Sequence, residues 1–364
     1  VQPTVETELR PRFHPAAAEH AAGMVEVIHA AFGARPPLDP PSTAIEETPD
    51  TVGRAVASHG GVYVTVAGRP AGSLIIGRGP EPGTAVFQRV SVHPDFQQHG
   101  IASAMVAAAE LDAAEQGFTR VEIYARRELP ELITYWRNRG FADVRPDPHG
   151  LWMGRDLPLR AVVPDADAMH TLGRRLAGVL TAGDLVIMSG PLGAGKTTLT
   201  QGIGDGLDSD GAIISPTFVL SRIHASRTGR PTLVHVDAYR LGSAAEVDDL
   251  GLDADLDTAV TVIEWGEDLA EGLADSRLDV LIERSSSVGE GAHDHDHDHD
   301  DARDHDDGHD HEGGRDDQDA EVPVEPRVVW LDPVGPRWTA AAREQLISVV
   351  RATGDPQPAG GADE

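Results

Sequence analysis

Lysine occurs once in this chain of 364 residues, against 29 arginines. It is Lys196, in the stretch Gly190-Pro191-Leu192-Gly193-Ala194-Gly195-Lys196-Thr197-Thr198. The apolar run DLVIMSG (184–190) comes directly before it and the helical pattern TLTQGIGDGL directly after. In a strand–loop–helix context, GxxxxGK[ST] has a physical meaning. The glycines let the backbone turn tightly, so successive N–H groups point at phosphate oxygens. The following helix adds the positive end of its dipole. A lysine supplies a compact charge for the β- and γ-phosphates, where the wide guanidinium fork does not fit a ring of amides. The Thr197 hydroxyl is placed to ligate Mg²⁺. The strand before the loop is apolar throughout, the pattern of a parallel strand buried on both faces. Its surroundings must therefore be an α/β domain.

The chain supplies the other elements. TLVHVDAYRL (232–241), TAVTVIEWGE (258–267), RLDVLIERS (277–285) and EPRVVWLDP (325–333) read as further strands. DADAMHTLGRRLAGVL (165–180) reads as a helix with Asp165 as N-cap and Met169, Leu172, Leu176 and Leu180 on one face. Two strands end in acids, Asp237 and Glu264, and strand ends of a parallel sheet face the ligand crevice. One acid is expected to hold Mg²⁺ together with Thr197, directly or through water. The other is expected to position or deprotonate the attacking water. Capping of a loop is the structural alternative for each. Trp265 can stack on adenine or pack in the core. Guanine reading through an Asn-Lys-x-Asp element needs a second lysine, so ATP is the expected nucleotide.

Residues 1–157 form a separate unit in this reading, 158–350 the nucleotide unit and 351–364 a flexible tail, in keeping with ~100–200 residues per domain. In the first unit, GGVYVTVAG (60–68) and AGSLIIGRG (71–79) read as strands around a turn at Arg69-Pro70. TAVFQRVSV (84–92) and RVEIYA (120–125) are strands, IASAMVAAAELDAAEQG (101–117) and ELITYWRNRG (131–140) helices. The net charge of −30 repels phosphate backbones, so nucleic acid is expected to be reached only through a partner protein. Cysteine is absent, which excludes disulfides, thiolate metal sites and a cysteine nucleophile. No apolar run reaches the ~20 residues a membrane span needs. The start VQPTVETELRPRF has no signal-peptide pattern, and its first residue is Val, as in a trimmed chain. A cytoplasmic location and no membrane contact are expected.

Four motifs in the nucleotide unit carry a resemblance. They are Gly190–Thr198, Ser215-Pro216-Thr217-Phe218, His235-Val236-Asp237-Ala238-Tyr239-Arg240-Leu241 and Ile263-Glu264-Trp265-Gly266-Glu267. In order and spacing they resemble the TsaE family, over roughly residues 160–340. The resemblance implies a small P-loop ATPase of the bacterial tRNA threonylcarbamoyladenosine machinery, working with the TsaB and TsaD proteins. It implies Lys196 and Thr197 as phosphate and Mg²⁺ groups and Thr217 as a switch-like residue near the γ-phosphate. It implies a metal-binding, catalytic role for Asp237, a catalytic or metal role for Glu264, and Trp265 beside the base.

A second resemblance lies upstream. Gln97-Gln98-His99-Gly100-Ile101-Ala102 follows the strand ending at Val92 and opens a helix. This fits Q/R-x-x-G-x-G/A, in which backbone amides and a helix N-terminus receive a diphosphate. Together with Tyr135-Trp136-Arg137-Asn138-Arg139-Gly140-Phe141 it resembles the GNAT acetyltransferase family, with a mixed sheet and bound acetyl-CoA implied. The position where that family often carries an acidic tyrosine is Trp136, and indole is no acid at neutral pH. Tyr135 is expected to point elsewhere on the helix.

The segment 286–322 has no apolar periodicity, and from Glu290 to Ala320 its net charge is −12. It reads as a disordered insertion. Its seven histidines, from His293 to His311, give incidental affinity for Zn²⁺, Ni²⁺ or Cu²⁺, with a zinc sensor or buffer as the sharper alternative. Two other readings of the whole chain stand beside the ATPase. One is an acetyl-CoA-dependent N-acetyltransferase regulated by nucleotide. The other is a non-catalytic, nucleotide-dependent adaptor, which has no use for two acids at the strand ends.

Overall fold

A computed structural model describes residues 10–97, 100–215, 221–248, 250–252, 257–267, 269–285 and 325–354. The chain forms two seven-stranded mixed sheets and changes from one to the other between Asp156 and Leu159.

The first sheet has the order β1-β2-β3-β4-β5-β7-β6. Its strands are β1 (Pro11–Pro15), β2 (Gly61–Val66), β3 (Arg69–Arg78), β4 (Thr84–Val92), β5 (Arg120–Arg126), β6 (Ala142–Asp147) and β7 (Gly150–Asp156). Alternation sorts the side chains between two layers. Val62, Val64, Leu74 and Ile76 face the core shared with α3 (Ile101–Glu115) and α4 (Pro130–Asn138). Tyr63 and Ile75 face α1 (Ala21–Gly33) and α2 (Pro49–His59). The β2–β3 hairpin turns at Ala67-Gly68, not at the expected Arg69-Pro70, which pair with Val66 and Thr65. Both turn residues have positive φ, 49° and 74°. That is the twist a two-residue hairpin demands, and it outweighs the proline as a turn marker.

The second sheet has the order β10-β11-β12-β9-β13-β14-β8. Its strands are β8 (Leu159–Val163), β9 (Leu185–Ser189), β10 (Ser221–His224), β11 (Thr232–Asp237), β12 (Ala259–Glu264), β13 (Arg277–Arg284) and β14 (Arg327–Val334). The middle four, β11-β12-β9-β13, are parallel; β10 and β14 flank them antiparallel, and β8 at the edge pairs antiparallel with β14. Helices α5 (Ala166–Leu176), α6 (Lys196–Gly206) and α8 (Ala340–Gly354) cover one face, and the short α7 (Ala244–Asp248) packs on the other. Asp165 caps α5 by accepting from Ala168 N at 2.8 Å, and Met169, Leu172, Leu176 and Leu180 are buried. The acidic insertion lies outside the described residues. Its roots do not: β13 and β14 are paired to Arg284 and Arg327, and Ser285 N donates to Pro326 O at 3.1 Å.

Ion pairs join the two sheets' layers. Arg155 of β7 reaches Asp332 of β14 and lies 3.6 Å from Glu110 of α3. Arg343 of α8 pairs with Asp156 at 3.2 Å, and Arg160 of β8 with Glu115 at 3.8 Å. Among the described residues no helix is long and apolar enough to cross a membrane.

Candidate functional site

The site forms where the parallel strands of the second sheet end. β9 stops at Ser189 and the chain enters the loop Gly190–Gly195. Gly190 has φ +136° and runs so close to β13 that a Cβ there would lie 2.3 Å from Ile282 O. Gly193 and Gly195 also have positive φ, and Gly195 is the N-cap of α6 with no side-chain cap. The first amides of α6 are therefore offered to the loop rather than to a capping side chain. Ala194 is buried, whereas Leu192 stands 81 % exposed at the tip, its carbonyl accepting from Arg284 Nη2 at 3.2 Å. Thr198 is half-buried in the first turn of α6.

Lys196 is 5 % exposed and folded back under its own loop. Its Nζ donates to Gly190 O at 2.6 Å and Pro191 O at 3.1 Å, and lies 3.5 Å from the centre of the Trp265 ring. Burial pushes its pKa down to about 8, against the pull of the Glu264 and Asp237 carboxylates. Trp265 has φ +61°, a backbone state uncommon for a bulky residue, and donates its backbone N–H to Met188 O at 2.8 Å. Its ring thus lies over the lysine and 5.2 Å from the Tyr239 ring.

The two acids meet by register. β11 and β12 pair in parallel with Asp237 opposite Glu264. Asp237 accepts from Ser215 Oγ at 2.7 Å and from Tyr239 N at 3.1 Å. Glu264 is 2 % exposed. Its Oε2 accepts from Thr197 Oγ1 at 3.0 Å, and its Oε1 lies 2.8 Å from His235 Nε2 and 3.4 Å from Thr200 Oγ1. Lys196, Thr197, Glu264 and Trp265 are thus brought together, with Asp237 on the adjoining strand. Thr217 lies outside the described residues. His235 and Thr200 join the site without a sequence signal that marks them as site residues. His235 lies in a quoted motif, but its partner is 29 residues away and only strand pairing brings them together.

The residues fit a polyphosphate and a hard cation. A lysine whose hydrogen bonds among the described residues go to two carbonyls can turn to phosphate oxygens, and the loop has room for no side chain at Gly190. The donor set, a hydroxyl and two carboxylates, is all oxygen, which suits Mg²⁺. Among the described residues no group of three or more His, Asp or Glu side chains could hold a metal ion, so a cation here relies on the hydroxyl beside the two carboxylates.

In the first sheet, β4 and β5 run parallel but pair only over Thr84–Val86 and Arg120–Glu122. Beyond Val86 the strands part, and β4 ends at Val92 beside the turn that opens α3. Gly100 has φ +71° and caps α3 without a side-chain cap. Ile101 is buried and Ala102 half-buried in its first turn. Gln97 lies in the turn, and Gln98 and His99 are outside the described residues. Trp136 is 6 % exposed, packed edge-on to Phe141 with ring centres 4.9 Å apart. It is a core residue. Tyr135 Oη is buried and has no hydrogen-bond partner among the described residues.

The family model of the threonylcarbamoyl adenosine biosynthesis protein TsaE matches residues 163–291. That of the acetyltransferase (GNAT) family matches residues 26–141. The tRNA threonylcarbamoyladenosine biosynthesis protein TsaE of Streptomyces coelicolor is 56% identical over 125 residues, which is 34% of this chain and 83% of that protein. Its counterpart in Mycobacterium tuberculosis is 53% identical over 133 residues, 35% of this chain and 79% of that protein. The Synechocystis protein is 39% identical over 114 residues, 30% of this chain and 71% of that protein. The chain therefore belongs to the TsaE family of tRNA threonylcarbamoyladenosine biosynthesis proteins, and it carries a GNAT acetyltransferase-family domain ahead of the TsaE part.

Proposed function

We propose that the second domain binds ATP with Mg²⁺ and hydrolyses it as the ATPase subunit of the threonylcarbamoyladenosine machinery, in the cytoplasm and in complex with TsaB and TsaD. The observation that carries this is the Thr197 hydroxyl on Glu264 at 3.0 Å, directly after the only lysine and beneath its loop. In this reading Lys196 leaves its two carbonyls for the β- and γ-phosphates. Thr197 and Asp237 hold the cation, and Glu264 either joins them or orients the attacking water. Mg²⁺, when bound, supplies charge neutralisation at the transferring phosphate. With a net charge of −30, the chain reaches tRNA only through its partners.

The test is ATP hydrolysis by the full chain, alone and with TsaB, TsaD and substrate tRNA. Stimulation by the partners is expected, and Lys196→Ala should lose at least about 100-fold in rate, as removal of a charge-stabilising donor does. Full activity in Lys196→Ala would rule out the assigned site. Nucleotide binding without hydrolysis in any mixture would leave the adaptor reading.

The splayed β4 and β5 and the uncapped turn at Gly100 favour a second role, binding of acetyl-CoA by the first domain, with its diphosphate at Gln97–Ala102. Calorimetric titration with acetyl-CoA tests it. Gly100→Val, which strains the positive-φ position, should abolish binding that the wild type shows, and no heat with the wild type would refute the role.

A further inference from the structure

His235 is fully buried on β11. Side chains alternate along the strand, so Leu233, His235 and Asp237 share one face while Val234 and Val236 share the other. The first face packs against α6, where Leu199 and Ile203 join Leu233 in the core. On β12 the same layer holds Val260, Val262 and Glu264. An imidazole thus stands in an otherwise apolar row, one step behind the two acids.

Its two nitrogens are used unequally. Nε2 is 2.8 Å from Glu264 Oε1, and an ionised carboxylate only accepts, so Nε2 carries the hydrogen. Nδ1 is buried and has no partner among the described residues. An unpartnered polar atom in the interior costs stability, and a leucine here would avoid that cost. Packing therefore does not account for the histidine, whereas its effect on Glu264 does. With Oε1 on His235, and Thr200 at 3.4 Å, the other oxygen is turned to Thr197 at the loop.

We propose that His235 is a positioning residue for ATP hydrolysis: its Nε2–H holds Glu264 Oε1, which keeps Oε2 on the Thr197 hydroxyl at the mouth of the phosphate loop. This rests on the ATPase reading above. Without that donor, Glu264 has no short contact on its inner oxygen and can turn away, the usual result of losing an outer hydrogen-bond partner in a metal or catalytic site.

Two variants of the full chain test it. His235→Leu keeps the volume and removes the donor. His235→Gln replaces the donor with an amide nitrogen of similar reach. Hydrolysis is measured with TsaB, TsaD and tRNA. Binding of a fluorescent ATP analogue is measured on the chain alone, at varied Mg²⁺ concentration. His235→Leu is expected to lower kcat by about 10–100-fold and raise the Mg²⁺ needed for half-maximal analogue binding by about tenfold. KM for ATP should stay within about threefold, because Lys196 and the loop amides are intact. His235→Gln should recover most of both losses. The proposal fails if His235→Leu matches the wild type in kcat and Mg²⁺ dependence. It also fails if His235→Gln is as impaired as His235→Leu while melting at the wild-type temperature. A wild-type chain that binds the analogue but never hydrolyses ATP refutes the ATPase reading instead, and the Mg²⁺ titration then decides whether His235 holds Glu264.

Discussion

Gly190 sets the geometry of the phosphate loop because nothing larger fits. Its φ of +136° is open to glycine alone, and a methyl group would press on Ile282 O. Gly190→Ala is expected to destabilise the chain by about 1–3 kcal/mol, the usual cost of a strained backbone site. It should also weaken ATP binding more than its stability loss explains, since both Lys196 carbonyl contacts lie at this turn. Urea unfolding and analogue titration measure the two effects separately, and an alanine variant with unchanged binding would show that the turn is not the phosphate cradle. Lys196, Thr197 and the glycines were legible in the sequence because the loop is local: strand, turn and helix lie within about 25 residues. The contact of Trp265 with Lys196 was not legible. It depends on β12 lying beside β9, and it puts the ring over the ammonium group.

At the level of elements, α6 is aimed by its packing on α5. The two helices approach so closely that a Cβ at Gly202 would lie 2.1 Å from His170 O, and one at Gly173 2.3 Å from Leu199 O. No flexible side chain is available to move, because both obstacles are backbone. Gly202→Ala is expected to cost about 1–3 kcal/mol by overpacking and to tilt the helix that carries Lys196 at its start. Thermal melting and ATP titration of the variant are the measurements, and a neutral result would mean that the helices can separate freely. The periodic residues of α5, the Asp165 cap and the apolar strand β9 were all readable from pattern. The strand order was not, since β9 lies between β12 and β13, far from its sequence neighbours β8 and β10. The strands β1, β6 and β7 lack a strong periodic signal of their own and gain their place from the sheet they complete.

The whole molecule is joined through a charged cluster. Arg155 stands between Glu110 of the first layer and Asp332 of the second. Burial pushes the Glu110 carboxyl up to about 7, with Arg155 pulling it down and Asp332 pushing it further up. Its unfolded value is about 4.5, so between pH 4.5 and 7 the folded chain holds a proton that the unfolded chain has lost. Stability contributed by this group is therefore present below pH 4.5 and lost as the pH rises to 7. Glu110→Gln should remove that part of the pH dependence. The variant's melting temperature, compared with the wild type from pH 4.5 to 7.5, should gain steadily on it toward the upper end. A constant difference would rule out titration of Glu110 in this range. The insertion calls for a different expectation. Because Ser285 and Pro326 are already hydrogen-bonded across its base, removing residues 290–320 shortens a closed loop without touching the sheet. Stability should be unchanged or rise by about 1 kcal/mol from the smaller loop-closure cost. A fall of several degrees in Tm would show that the segment packs on the fold.

What the sequence determined by itself was local. The phosphate loop, the helix cap, the apolar strands and the compositional break of the insertion each follow from residues within a few turns of one another. Tertiary structure decided which distant residues meet. Strand register put Asp237 opposite Glu264, and helix α6 brought Thr197 and Thr200 to the same carboxylate. Burial between sheet and helix made His235 a partner of the site, and the Arg155 cluster ties the acetyltransferase-family domain to the TsaE part. These contacts span tens to hundreds of residues. They depend on how whole layers pack, which no periodicity in the chain encodes.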